Sequence, residues 1–146
     1  MIIHKTGNIW DTEQPAIGHG VNCQGVMGSG IAVQFRERFS LMYGDYVRMC
    51  KVGILKPGNA SFYHENNIWT VNIASQNLPG KNAKMMYLLS GLIFAREGLI
   101  ERNIDGIALP QIGCGIGGLK WESVLELIEF VFGDSQITCE VWTYSK

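Results

Sequence analysis

Ala16-Ile17-Gly18-His19-Gly20-Val21-Asn22 leads into Gly25-Val26-Met27-Gly28-Ser29-Gly30, a strand that runs into a glycine-rich loop. A helix is expected next, opening near Ser29 to Ile31. Ile31, Phe35 and Phe39 recur at four-residue spacing and share one helix face, with Arg36, Glu37 and Arg38 mostly opposite. Glycine lets the backbone approach a ligand with no Cβ in the way, and free amides at a helix start favour an anion. The loop therefore reads as a phosphate site. Its alternative is a tight strand-to-helix connection that holds nothing. The G-x-x-G-x-G spacing is not a dinucleotide fingerprint, and no Gly-Lys-Ser/Thr follows as in a P-loop.

The same order returns later in the chain. Ile107-Ala108-Leu109-Pro110 is a continuous apolar run, as expected of a buried strand. Gly113-Cys114-Gly115-Ile116-Gly117-Gly118 follows it directly. Trp121, Val124, Leu125, Ile128, Val131 and Phe132 then repeat at helical spacing up to Gly133. Two such loops in one small chain are more specific than either alone, and a diphosphate between them is the natural ligand. In open α/β sheets ligands bind beyond the carboxyl ends of the strands, the edge where both loops fall.

Between and around these units, Ile2 to Thr6 reads as a strand and Gly7-Asn8 as a turn. A short helix covers Met42 to Cys50. Ala60 to His64 and Ile68 to Ile73 form a hairpin through Glu65-Asn66-Asn67. Ser75 to Ala83 is a polar loop. A helix runs from Met85 to Arg102, and a last strand from Ile137 to Trp142. Strands followed by helices predict an α/β protein with three α/β/α layers, its mixed central sheet flanked by helices. Residues 1–146 are expected to form a single domain.

Of the 146 residues, 47% are apolar and 17% charged, which places the chain among globular rather than disordered proteins. The net charge of -1 supplies no general field for a polynucleotide, so binding one would need a local basic patch. No run is long and apolar enough to span a bilayer. Cys23, Cys50, Cys114 and Cys139 form no C-x-x-C pair, and His4, His19 and His64 do not cluster. Reduced thiols, a cytoplasmic location and no metal or cofactor are the expectation.

Few side chains offer chemistry. Asn22 ends the strand before the first loop and can meet ribose hydroxyls or a water; its alternative is to satisfy turn amides. His19 is a candidate general acid or base, or a packed residue. Cys114 sits between glycines without an evident base and reads as a small filler. Trp142 and Tyr144 can stack on a base or simply pack.

Val21 to Ala32, together with Leu109-Pro110-Gln111-Ile112-Gly113-Cys114-Gly115-Ile116-Gly117-Gly118-Leu119-Lys120-Trp121, resembles the two ADP-ribose loops of a macro domain. The resemblance covers essentially the whole chain. It is nearest a subgroup holding ADP-ribose-1''-phosphate phosphatases, terminal ADP-ribose glycohydrolases and antitoxins that remove ADP-ribose from DNA. By that resemblance, Asn8 and Ile9 meet adenine, with Asn8 in place of an Asp found in many relatives. Trp142 flanks adenine as well. Gly28, Ser29, Gly30, Ile31 and Ala32 hold the diphosphate and distal ribose with Gln111, Gly113, Cys114, Gly115, Ile116 and Gly117. Asn22 touches the distal ribose. The implied activity is metal-independent hydrolysis of ADP-ribose-1''-phosphate to ADP-ribose and phosphate, with His19 and Asn22 as catalytic residues. The alternatives are a non-catalytic ADP-ribose-binding module and a hydrolase that frees ADP-ribose from protein or nucleic acid. A monomer is expected, with ADP-ribose or its 1''-phosphate as partner. Two departures stand out: the glycohydrolase-type Lys falls at Gln76 or Ser75, and the Asp of the second loop falls at Gly117. Lys81 and Lys84 lie nearby in sequence.

Overall fold

The computed structural model describes residues 1–145. Six strands form one sheet in the order β1-β6-β5-β2-β4-β3. They are β1 (Ile2–Gly7), β2 (Ala16–Val21), β3 (Ala60–Glu65), β4 (Ile68–Ala74), β5 (Gly106–Leu109) and β6 (Thr138–Tyr144). All neighbouring pairs run parallel except the β3–β4 hairpin, so the sheet is mixed. Asn66 and Asn67, both at positive φ, make the hairpin turn, a backbone that Asn tolerates better than most residues.

The helices are α1 (Ile31–Arg38), α2 (Ser40–Lys51), α3 (Met85–Glu101) and α4 (Trp121–Phe132). Side chains alternate across each strand, and the alternation sorts the core in two. Ala16, Val71, Ile73, Ile107 and Leu109 pack under α3 and α4 through Leu88, Leu92, Val124 and Ile128. Ile17, Val21, Ala108 and Trp142 pack with Phe35, Met42 and Tyr46 of α1 and α2. This is the expected three-layer α/β/α arrangement.

Three local differences bear on the site. The stripe Ile31, Phe35, Phe39 does not lie on one helix. Phe39 leaves helical geometry (φ -131, ψ 70), ends α1 through its N–H to Phe35 O, and starts α2. Its buried ring meets Phe35 and Trp10, and that packing outweighs helical continuity. Ile9–Asp11 forms a short 3-10 turn that the spacing did not announce; Asn8 Oδ1 caps it by accepting from Trp10 N at 3.0 Å. Finally, β6 runs on to Tyr144 and carries that ring to the sheet edge beside β1.

Candidate functional site

Both glycine loops leave the carboxyl edge of the sheet, one after β2 and one after β5, which are parallel neighbours. Gly30 stands between the first loop and α1 with φ 60 and ψ -144, a backbone that strongly favours glycine. The loops enclose one section of a cleft, with a cavity of ≈ 310 Å³. Asn22, Gly28, Ser29, Gly30, Ile31 and Ala32 line it from one side. Gln111, Gly113, Gly115, Ile116 and Gly117 line it from the other, with Ser75 and Gln76 beside them. The amides of Gly28, Ser29, Gly30, Gly115, Ile116 and Gly117 have no backbone acceptor among the described residues. They are available to an anion.

A second section of ≈ 470 Å³ continues the cleft toward β1 and β6. Asn8, Ile9, Trp10, Gln34, Trp142 and Tyr144 line it, and Gly30, Ile31 and Pro110 border both sections. Trp142 is buried and donates its Nε1–H to Glu140 Oε1 at 2.9 Å. Glu140 also accepts from Thr12 and Gln14, and these bonds keep its carboxyl below the usual range despite its burial. One flat apolar-to-aromatic section thus joins one amide-rich section.

Asn22 lines the cleft, and its amide also bonds within the loop itself. Nδ2 donates to Val26 O at 2.8 Å, and Oδ1 accepts from Gln24 N at 3.0 Å and Val26 N at 3.4 Å. The Tyr46 hydroxyl, buried on α2, reaches Asn22 O at 2.8 Å and Asn22 Oδ1 at 2.9 Å. Asn22 thus both lines the cleft and ties the first loop together. Nothing in the sequence pointed to Tyr46 as its support.

His19 is corrected more strongly. It lies mid-strand on β2 with its side chain toward α1, is 0% exposed, and lines neither section. Its Nε2–H donates to Asn72 Oδ1 at 2.8 Å, across the β2–β4 register. Its Nδ1 has no partner, and burial pushes its pKa down to about 4. A neutral imidazole sealed from the cleft is not placed to move a proton there. Cys114 also lines neither section. Its thiol points back to Ile112 O at 3.4 Å, and burial raises its pKa, so it is no nucleophile.

At the two departures, Gln76 donates its amide to Leu78 O at 2.6 Å and Gly80 O at 2.9 Å, so it ties down the loop after β4. Gly117 is forced by contact: a Cβ there would lie 2.6 Å from Gly113 O and 2.9 Å from Ala83 Cβ. Gly117 O also accepts from Ala83 N at 3.2 Å. The loop does fold back, because the Lys81 chain lies over Gly118. None of the residues lining the amide-rich section is Asp, Glu, Lys, Arg or His. Among the described residues no cluster of His, Cys, Asp or Glu suits a metal ion, and no helix is long and apolar enough to cross a membrane.

The chain is thus an α/β/α layer fold with a two-section cleft, one section rich in free amides and one aromatic, over the parallel strand ends. A family model for the macro domain matches residues 19–128, and the chain belongs to the macro domain family. It is 32% identical over 136 residues to the DNA ADP-ribosyl glycohydrolase of Mycobacterium tuberculosis. That match covers 90% of this chain and 39% of the relative, so the chain spans well under half the relative's length. Human ADP-ribose glycohydrolase OARD1 is 27% identical over 131 residues, covering 88% of this chain and 81% of that protein. The solved macrodomain of Mycobacterium tuberculosis DarG superposes with a TM-score of 0.91 at 29% identity, covering 99% of each chain.

Proposed function

We propose that the cleft holds ADP-ribose and that the chain frees this group from nucleic acid by hydrolysis. The reading rests on one observation above all: undonated amides of two loops converge in a section continuous with an aromatic one. Adenine fits between Trp142 and Asn8, the diphosphate against Gly28 to Ala32, and the distal ribose against Gly113 to Gly117. The nucleic-acid form is supported by the similarity to proteins named DNA ADP-ribosyl glycohydrolases. In the step, the bond from the distal ribose carbon to the nucleobase breaks. Water supplies the hydroxyl to that carbon and the proton to the base. The chain's part is positioning and fixed dipoles, because no titratable side chain faces this section. Ser29 and Gln111 carry exposed polar ends into the cleft that suit the water.

That neutral lining also favours a second reading, an ADP-ribose-binding module without turnover. A third, hydrolysis of ADP-ribose-1''-phosphate, loses the proton carrier it invoked once His19 is buried. Calorimetry with ADP-ribose, then product release from ADP-ribosylated single-stranded DNA, ADP-ribosylated protein and ADP-ribose-1''-phosphate, separates the three. Release from DNA is the expected result. Binding with no release from any substrate would establish the module, and absence of ADP-ribose binding would sink all three readings.

A further inference from the structure

Three lysines follow closely on the two loops that close the amide-rich section, in a chain whose net charge is -1. Pro79 and Gly80 on one loop, and Ile116 and Gly117 on the other, form part of that section's lining. Lys81 follows Gly80 directly and lays its methylenes over Gly118, so the two loops meet in a seam. Ala83 N donates to Gly117 O within the same seam. Lys84 stands just before α3 and Lys120 just before α4, each one step beyond a loop. All three lysines are exposed. The ion pairs among the described residues are Arg48–Asp45 and Arg96–Glu97, so none of the three is paired. The one carboxylate in these two stretches is Glu122, two residues past Lys120. Ile116, 53% exposed, lines the section, and Leu78, also 53% exposed, directly precedes Pro79 of the same lining.

Exposed, unpaired lysines beside exposed apolar side chains, in a protein of net charge -1, form a surface complementary to a polyanion with flat apolar faces. We propose that the strand carrying the ADP-ribosyl group crosses this seam. Lys81, Lys84 and Lys120 meet its phosphodiester backbone, and Ile116 and Leu78 meet the bases flanking the modified one. The proposal rests on the reading above that the ADP-ribose is attached to nucleic acid. It places specificity for the macromolecule outside the cleft and specificity for ADP-ribose inside it.

The test titrates a single-stranded oligonucleotide bearing one ADP-ribosyl group, read by fluorescence anisotropy at 50 and 200 mM salt. Free ADP-ribose is titrated by calorimetry, and released ADP-ribose is measured in the same oligonucleotide samples. Three phosphate contacts on a single strand give a salt exponent of about -2, or roughly a 20-fold loss of affinity over that range. The combined K81Q, K84Q and K120Q variant is expected to reduce the strand's salt dependence to that of free ADP-ribose. Its affinity for free ADP-ribose should stay within about twofold of the parent, which also reports that it is folded. A variant that keeps the parental salt dependence overturns the proposal, as does a strand that fails to bind the parent. An ADP-ribosylated acidic peptide showing the same lysine-dependent loss would overturn the choice of nucleic acid. Lysine-dependent strand binding without release of ADP-ribose would instead strike the hydrolase reading and leave this surface standing.

Discussion

His19 and Phe35 lie ring on ring, with centroids 3.6 Å apart and planes within 2°. The stack clamps β2 to α1 and leaves Nδ1 without a hydrogen-bond partner. Protonating Nδ1 would place an uncompensated charge in the core, which is why the pKa falls from 6.5 to about 4. In the unfolded chain the same ring protonates near 6.5. Stability is therefore intact above that pH and is lost as pH falls from about 6.5 toward 4. The size of the shift corresponds to about 3 kcal/mol. In urea titrations at pH 7, 6, 5 and 4, His19→Phe should show a distinctly shallower decline than the parent. An unchanged slope would mean that His19 is not the residue responsible.

Asn22 gives the matching prediction for the first loop. Tyr46 holds both its backbone and its side-chain oxygen from the buried face of α2. Tyr46→Phe leaves the Asn22 carbonyl without its donor, while Asn22 Oδ1 keeps the Gln24 and Val26 amides, and the unpaired carbonyl costs about 1–3 kcal/mol. The expected result is a lower melting temperature together with weaker ADP-ribose binding by calorimetry, because the loop that carries the amides loosens. If Tyr46→Phe lowers stability and leaves affinity unchanged, the support of Asn22 is structural alone.

Much of this arrangement was legible in the residue order. Glycine at Gly28, Gly30, Gly113 and Gly117 marked both loops, and the stripe on α4 marked its buried face. What stayed hidden depends on contacts distant in sequence. Whether His19 faces the cleft or α1 is decided by β2 pairing with β4, which sets Asn72 beside it. The Tyr46 hydroxyl that holds Asn22 could not be read from the sequence, because it lies 24 residues away on another element. Phe39 fitted a continuous helical spacing, and only its packing on Phe35 and Trp10 explains the break there. A lysine five residues past Gln76 reaches the second loop because the loop between them is tied by Gln76 itself.

Gly117 should not tolerate a side chain. Alanine there must push Gly113 O or Ala83 away, and overpacking of this kind costs about 1–3 kcal/mol. Gly117→Ala is expected to weaken ADP-ribose at least tenfold, since Gly113 and Gly117 both line the amide-rich section. Adding Ala83→Gly relieves one of the two contacts and should restore part of the lost affinity. Parental affinity in Gly117→Ala would show that the loop shifts without cost.

Tyr144 tests the aromatic section separately from stability. It is 73% exposed, yet it lines that section together with Trp142. Stacking of a base on an aromatic ring contributes about 1–3 kcal/mol. Tyr144→Ala should therefore weaken ADP-ribose roughly tenfold or more by calorimetry, with the melting temperature unchanged. Ribose-5-phosphate, which lacks the base, should bind the two proteins equally. A loss that appears with both ligands would place Tyr144 away from the base.

The neutral lining predicts an unusual pH response. A general acid or base in the cleft would give a rate that changes about tenfold per pH unit on one side of its pKa. None of the residues lining the amide-rich section titrates as Asp, Glu, His, Lys or Arg, and His19 stays neutral down to about pH 4. Release of ADP-ribose from the oligonucleotide should therefore vary by less than about threefold between pH 5.5 and 8.5. The measurement is kcat at saturating substrate, so that strand binding at the lysines does not enter. A bell-shaped or steeply sloping profile would mean that a titrating group reaches the distal ribose.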